Sequence, residues 1–108
     1  MTGQIVTEVS AIVAPEREAG LVAAYRELVA HTLPDGLVRT ELLSGQGGHW
    51  RIQTLWRDRA ALDAMRAAPE GPAAPRLFRE AGAEPALALF DVRAHRITPA
   101  NLSRSASP

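Results

Sequence analysis

The chain has 108 residues, room for one hydrophobic core and too few for two. Its 12 basic side chains balance 12 acidic ones, so no net field draws it toward nucleic acid or an anionic membrane. There is no cysteine, and every basic side chain is arginine, which excludes disulfides, thiolate nucleophiles, Cys-bound metals, Schiff-base lysines and a Walker-type phosphate lysine. No apolar run approaches a membrane span. The opening MTGQIVTEVS also lacks the basic-then-apolar pattern of a signal peptide, so a cytoplasmic location is expected. Arginine in place of lysine, together with abundant alanine, points to a bacterial, GC-rich source.

The first segment, Gln4 to Val13, is rich in β-branched residues, ends at Pro15 and predicts a strand. From Glu16 to Thr32, Leu21, Val22, Tyr25, Leu28 and Val29 recur at helical spacing. Glu16 and Glu18 suit the first turn of that helix, where the dipole favours negative charge. Leu33-Pro34-Asp35-Gly36 stops it. Leu37 to Leu43 and Trp50 to Trp56 predict two strands joined as a hairpin through Ser44-Gly45-Gln46-Gly47-Gly48. Strand alternation puts Trp50, Ile52, Thr54 and Trp56 on one face, with Arg51, Gln53 and Leu55 on the other. Asp58 is placed to cap a second helix carrying Leu62 and Met65. After Pro69-Glu70-Gly71, a further helix from Pro72 carries Leu77 and Phe78 and ends at Gly82. Ala86 to Ile97 reads as the last strand, and the domain, residues 1–97, is followed by a polar tail, residues 98–108.

The order β-α-β-β-α-β predicts a ferredoxin-like α+β domain with an antiparallel sheet. Strands one and three take the centre, with strand four beside one and strand two beside three. Helices cover one face, yet strand one carries Ile5 and Val9 on one side and Val6 and Ile12 on the other. The last strand likewise sets Leu87 and Leu89 against Phe90 and Val92. A sheet apolar on both faces needs cover on both. A homodimer through the open sheet face is therefore expected.

Several stretches together resemble the antibiotic biosynthesis monooxygenase family across residues 4–97. They are Pro34-Asp35-Gly36 entering strand two, Ile52-Gln53-Thr54-Leu55-Trp56 with its terminal aromatic, the following Arg57-Asp58-Arg59-Ala60-Ala61-Leu62, and Gly82-Ala83-Glu84-Pro85 before the last strand. The resemblance implies a dimeric α+β barrel and, in several members, cofactor-free oxygenation of polyketide phenols or anthrones to quinones. The oxygenases' strand-ending Trp matches Trp56, and their helix Arg matches Arg76 or, with a longer loop, Arg79. The family's strand Asn falls on Ile52 and its helix Tyr on Leu62. For the haem-degrading branch, the strand-one Asn falls on Glu8 and the iron-ligating His on Arg66.

Oxygen insertion without metal or flavin needs a substrate anion that can give an electron to dioxygen. The protein must then supply a dry pocket, a base and a positive anchor. A hairpin closing symmetrically around Gly45 to Gly48 sets Leu37 opposite Trp56, Arg39 opposite Thr54 and Glu41 opposite Ile52, which puts Arg39 on the Trp face; a bulge reverses this. Trp56, Arg39 and Arg76 are the candidate catalytic residues. Tyr25, Trp50, Ile52, Leu62, Met65 and Phe78 are the candidate substrate contacts, and no cofactor or metal is expected. Each has a plain structural alternative: the aromatics and aliphatics as core packing, the arginines as solvated surface charges. His31, His49 and His95 are expected at the end of the sheet away from Trp56, without a metal-ligand spacing. The expected partners are an aromatic small molecule and dioxygen. A non-oxidative cyclase or isomerase and a small-molecule-binding protein are the alternative functions.

Overall fold

The computed structural model describes residues 3–99. The elements are β1 (Ile5–Ile12), α1 (Pro15–Val29), β2 (Leu37–Ser44), β3 (His49–Trp56), α2 (Arg59–Ala67), α3 (Ala73–Glu80) and β4 (Ala86–Asp91). All pairings are antiparallel in the order β2-β3-β1-β4, the ferredoxin-like α+β arrangement expected from the sequence. None of the described helices is long and apolar enough to cross a membrane.

The boundaries follow local chemistry. Pro15 opens α1, where its missing N–H costs nothing, with Glu16 and Glu18 in the first turn. The helix ends earlier than the expected Thr32: the Ala30 N–H bonds back to the carbonyls of Arg26 and Glu27, the His31 N–H to that of Leu28, and the chain then leaves the axis. Asp58 caps α2 as expected, its carboxylate accepting the Ala61 N–H at 2.9 Å. Gly36 enters β2 with φ +87°, and its carbonyl accepts the Arg57 N–H at 2.8 Å, which ties the β2 entrance to the end of β3.

β4 stops at Asp91 instead of running to Ile97. Asp91 lies opposite Ile5, the first residue of β1, and the Val92 N–H makes one more bond to the Gln4 carbonyl. Beyond that point no strand remains to pair with. The expected tail, residues 98–108, lies outside the described residues from position 100 on.

The helix-facing side of the sheet carries two apolar clusters. One joins Val9, Val13, Leu21, Ile52, Leu77 and Phe78; the other joins Ile5, Trp56, Ala61 and Leu62. Phe78 and Leu62 are fully enclosed, and each contributes about 1.5–3 kcal/mol by leaving water. On the opposite side, Val6 lies between Phe90 and Leu55, and Ile12, Leu43 and Phe90 are exposed. None of the described helices lies on that face.

Candidate functional site

Between the helices and the sheet lies a cavity of about 630 Å³. β3 contributes Ile52, Thr54 and Trp56, and the C-terminal half of α1 contributes Tyr25 and Leu28. Residues 32–35 lead from α1 into β2 and form part of the rim, facing Leu62 and Met65 of α2 and Arg76 in the first turns of α3. Both apolar clusters reach this cavity, through Ile52 and Val9 on one side and Trp56 and Leu62 on the other. The walls are mainly hydrocarbon, which suits an apolar ligand.

Trp56 is almost wholly buried, and its indole N–H donates to the Thr7 hydroxyl at 3.1 Å. The ring is therefore held on both its apolar and its polar side. The Tyr25 hydroxyl donates to Thr40 Oγ1 at 3.2 Å, and Thr40 Oγ1 shares a hydrogen bond of 3.1 Å with Thr54 Oγ1. Arg76 is half-exposed at the cavity; it donates to the Glu70 carbonyl at 3.3 Å and lies 3.9 Å from the Glu80 carboxylate. Arg79, the other match considered for the helix Arg, is exposed and does not line the cavity.

Six of the nine sequence-derived candidates meet here: Trp56, Arg76, Tyr25, Ile52, Leu62 and Met65. The other three do not. Arg39 is on the opposite face of the sheet. The hairpin has a bulge between Leu37 and Arg39, so Arg39 pairs with Leu55, Thr40 with Thr54 and Leu42 with Ile52. Thr40 takes the inward position, while Arg39 makes an exposed ion pair with Glu41 at 3.5 Å. Glu41 is opposite Gln53, not Ile52, and so leaves the inner face as well.

Trp50 shares the inward face with Trp56 but sits six residues away, about 20 Å along the strand. It packs on the core there, and its indole N–H donates to the Glu18 carboxylate at 3.0 Å. Phe78 points into the core with Leu21 and Val13, because the cavity meets only the beginning of α3.

The histidines are also placed differently. His49 pairs with Ile12 at one end of the sheet. α1 runs back to the Trp56 end, where His31 bonds to the Glu27 carboxylate at 2.8 Å, and β4 also leaves the sheet there toward His95. Among the described residues, no group of three His, Asp or Glu side chains is placed to hold a metal ion.

Thr7, Thr40 and Thr54 were not among the candidates. Only Thr54 had a visible signal, its place between Ile52 and Trp56 on the Trp face. Thr40 was hidden by the bulge, and Thr7 by its distance along the chain.

A four-stranded antiparallel sheet with helices on one face and an apolar cavity beneath them defines a ferredoxin-like α+β fold with a cavity of ligand size. The antibiotic biosynthesis monooxygenase profile matches residues 5–74, and the chain belongs to that family. No curated protein matches the sequence. A Deinococcus radiodurans protein named after the same family is 17% identical with TM-score 0.70; the match covers 87% of this chain and 98% of that one. A Nitrosomonas europaea protein of unknown function is 18% identical with TM-score 0.66, covering 91% and 96%. SnoaB of Streptomyces nogalater, a cofactor-independent oxygenase, is 23% identical with TM-score 0.62, covering 89% and 97%. At these identities the structural likeness speaks for the fold.

Proposed function

We propose that this protein is a cofactor-independent monooxygenase that oxidises an aromatic, polyketide-like phenol or anthrone to a quinone. The observation that carries the reading is the apolar cavity between helices and sheet with Trp56 anchored in its wall by the Thr7 hydroxyl, within a chain of this family. The oxygenase activity named for SnoaB, on the same fold, supports it.

In the reaction, an anthrone loses a proton from the methylene carbon para to its carbonyl, or a phenol loses its hydroxyl proton. The resulting anion gives an electron to dioxygen, which then bonds at the para carbon, and that carbon gives up its remaining hydrogen. One oxygen atom becomes the new carbonyl. The other leaves as water, taking the two hydrogens the substrate gives up. The chain's part is to exclude water from the ring, set its plane against Trp56 and hold its negative oxygen. Arg76 is a cation at the cavity that can draw an anionic ring inward.

We propose further that the working unit is a homodimer closed through the open sheet face. Phe90, Val6 and Leu55 form an apolar row across β4, β1 and β3, with Ile12 and Leu43 exposed on the same side. A second copy supplies matching apolar cover.

The test is oxygen-electrode turnover of anthrone with the purified protein, monitored for anthraquinone. Trp56→Phe should keep the fold and lower turnover, Arg76→Ala should lower kcat/KM by about tenfold through loss of a charged contact, and Arg39→Ala should change nothing. Turnover under nitrogen would mark a cyclase or isomerase, and binding without turnover a carrier; either result overturns the oxygenase reading.

A further inference from the structure

We infer that a row of threonines on the cavity floor forms a hydrogen-bond-donating subsite, centred on Thr54 and Thr7, that seats an acceptor oxygen of a planar aromatic ligand. The inference rests on the cavity being the substrate site. It adds which part of the ligand is read, and by what.

The register builds the row. Thr40 lies opposite Thr54 across β2 and β3, and Thr54 lies opposite Thr7 across β3 and β1. All three line the cavity, so neighbouring strands set three hydroxyls side by side at one level of the floor. The level on one side is Leu42, Ile52 and Val9, and on the other Leu37, Trp56 and Ile5. A single polar stripe thus crosses an otherwise apolar floor. Thr54, in its middle, is 7% exposed and is the one buried polar residue among those described.

The hydrogen count makes the stripe a donor. The hydroxyls of Tyr25, Thr40, Thr54 and Thr7 and the Trp56 indole carry five hydrogens. Three are used within the set: Tyr25 to Thr40, one between Thr40 and Thr54, and Trp56 to Thr7. Two remain. One is Thr7's own, because its oxygen accepts from Trp56. The other belongs to Thr54 or Thr40, depending on which donates to its neighbour. An acceptor seated at the centre selects the arrangement in which Thr40 donates to Thr54 and Thr54 donates to the ligand. Both spare hydrogens then converge on one oxygen from adjacent strands.

Thr7 and Thr54 offer this oxygen neutral donors. Arg39 is on the other face; of the two arginines that line the cavity, Arg66 is exposed on α2 and Arg76 is held by the Glu70 carbonyl and the Glu80 carboxylate. The chemistry that fits is a carbonyl or phenolic oxygen on a flat hydrocarbon ring. Trp56 is fastened to the same hydroxyl that completes the donor pair, so the position of the indole and the seating of the oxygen are coupled through Thr7.

Equilibrium dialysis with 1-naphthol and its methyl isostere 1-methylnaphthalene tests this on the parent protein, Thr7→Val/Thr54→Val and Thr7→Ser/Thr54→Ser. Valine keeps the shape and removes the hydroxyl; serine keeps the hydroxyl. The parent should prefer 1-naphthol by about tenfold, the net effect of one to two hydrogen bonds. The valine pair should bring the preference to within about twofold without weakening 1-methylnaphthalene, because it removes both converging hydroxyls and leaves only that of Thr40, which lies on β2 on the far side of position 54 from Thr7. The serine pair should restore the preference. If the valine pair still prefers 1-naphthol as the parent does, the donor subsite is refuted while the cavity remains the binding site. If the parent binds neither compound, the cavity is not an aromatic site and the inference falls with it.

Discussion

Replacing Gly36 by alanine tests how the rim of the cavity is held. Gly36 has φ +87°, which costs an L-residue about 1–2 kcal/mol. A methyl there would overlap the Cβ of Ala61, a buried residue on α2, and relieving such overpacking costs about 1–3 kcal/mol. Together the two effects predict a loss of about 2–5 kcal/mol, a large share of the roughly 5–15 kcal/mol that keeps a domain folded. Urea unfolding at fixed protein concentration measures it, with the m-value expected to stay constant. The two causes separate in a double-mutant cycle. Ala61→Gly removes the methyl that Gly36→Ala meets, so the double variant should be more stable than the sum of the singles by about 1–3 kcal/mol. The backbone strain should persist in it. A Gly36→Ala protein within about 0.5 kcal/mol of the parent, the range of an ordinary surface change, would refute the reasoning; strict additivity would refute the Ala61 contact. The consequence for function is that residues 32–35, which form part of the rim, are seated against α2 through this close approach.

Phe90→Asp would place a charge in the middle of the proposed subunit interface, where it would have no partner. Light scattering should show the parent near twice 11.6 kDa and the variant near 11.6 kDa, and a monomeric parent would refute the dimer. The Asp58 carboxyl is held below the ordinary carboxylate range chiefly by the Ala61 N–H it accepts; desolvation, the next effect in size, opposes this, and the Arg57 guanidinium lowers it further. Its folded pKa is below its unfolded one, so its contribution is present above the unfolded value and is lost as pH falls through the folded value. Thermal melts from pH 5 down to pH 2 should therefore fall less steeply for Asp58→Asn than for the parent, and equal slopes would refute the assignment.

How much was legible beforehand depends on the range of the signal. Asp58 three residues ahead of Ala61, Pro34 and Gly36 between helix and strand, and Leu62 and Met65 on one helical face are local patterns. The physics that produces them acts within a turn or two. The alternation from Trp50 to Trp56 likewise assigned Ile52, Thr54 and Trp56 to the inward face, because strand period allows nothing else. The order of the strands followed from the βαββαβ succession.

Three matters were decided only in the folded chain. The bulge at Val38 sent Arg39 outward and Thr40 inward, and Leu37-Val38-Arg39-Thr40 carries no composition that marks where an extra residue is absorbed. β4 ended where β1 began, since a strand persists only while a partner offers hydrogen bonds. Thr7, Thr40 and Thr54, far apart in the chain, came to lie side by side through the register of three strands. Sequence by itself determined which residues could be inside, because burial and periodicity are properties of a segment. Which of them meet was set by cross-strand register, a property that no single segment possesses.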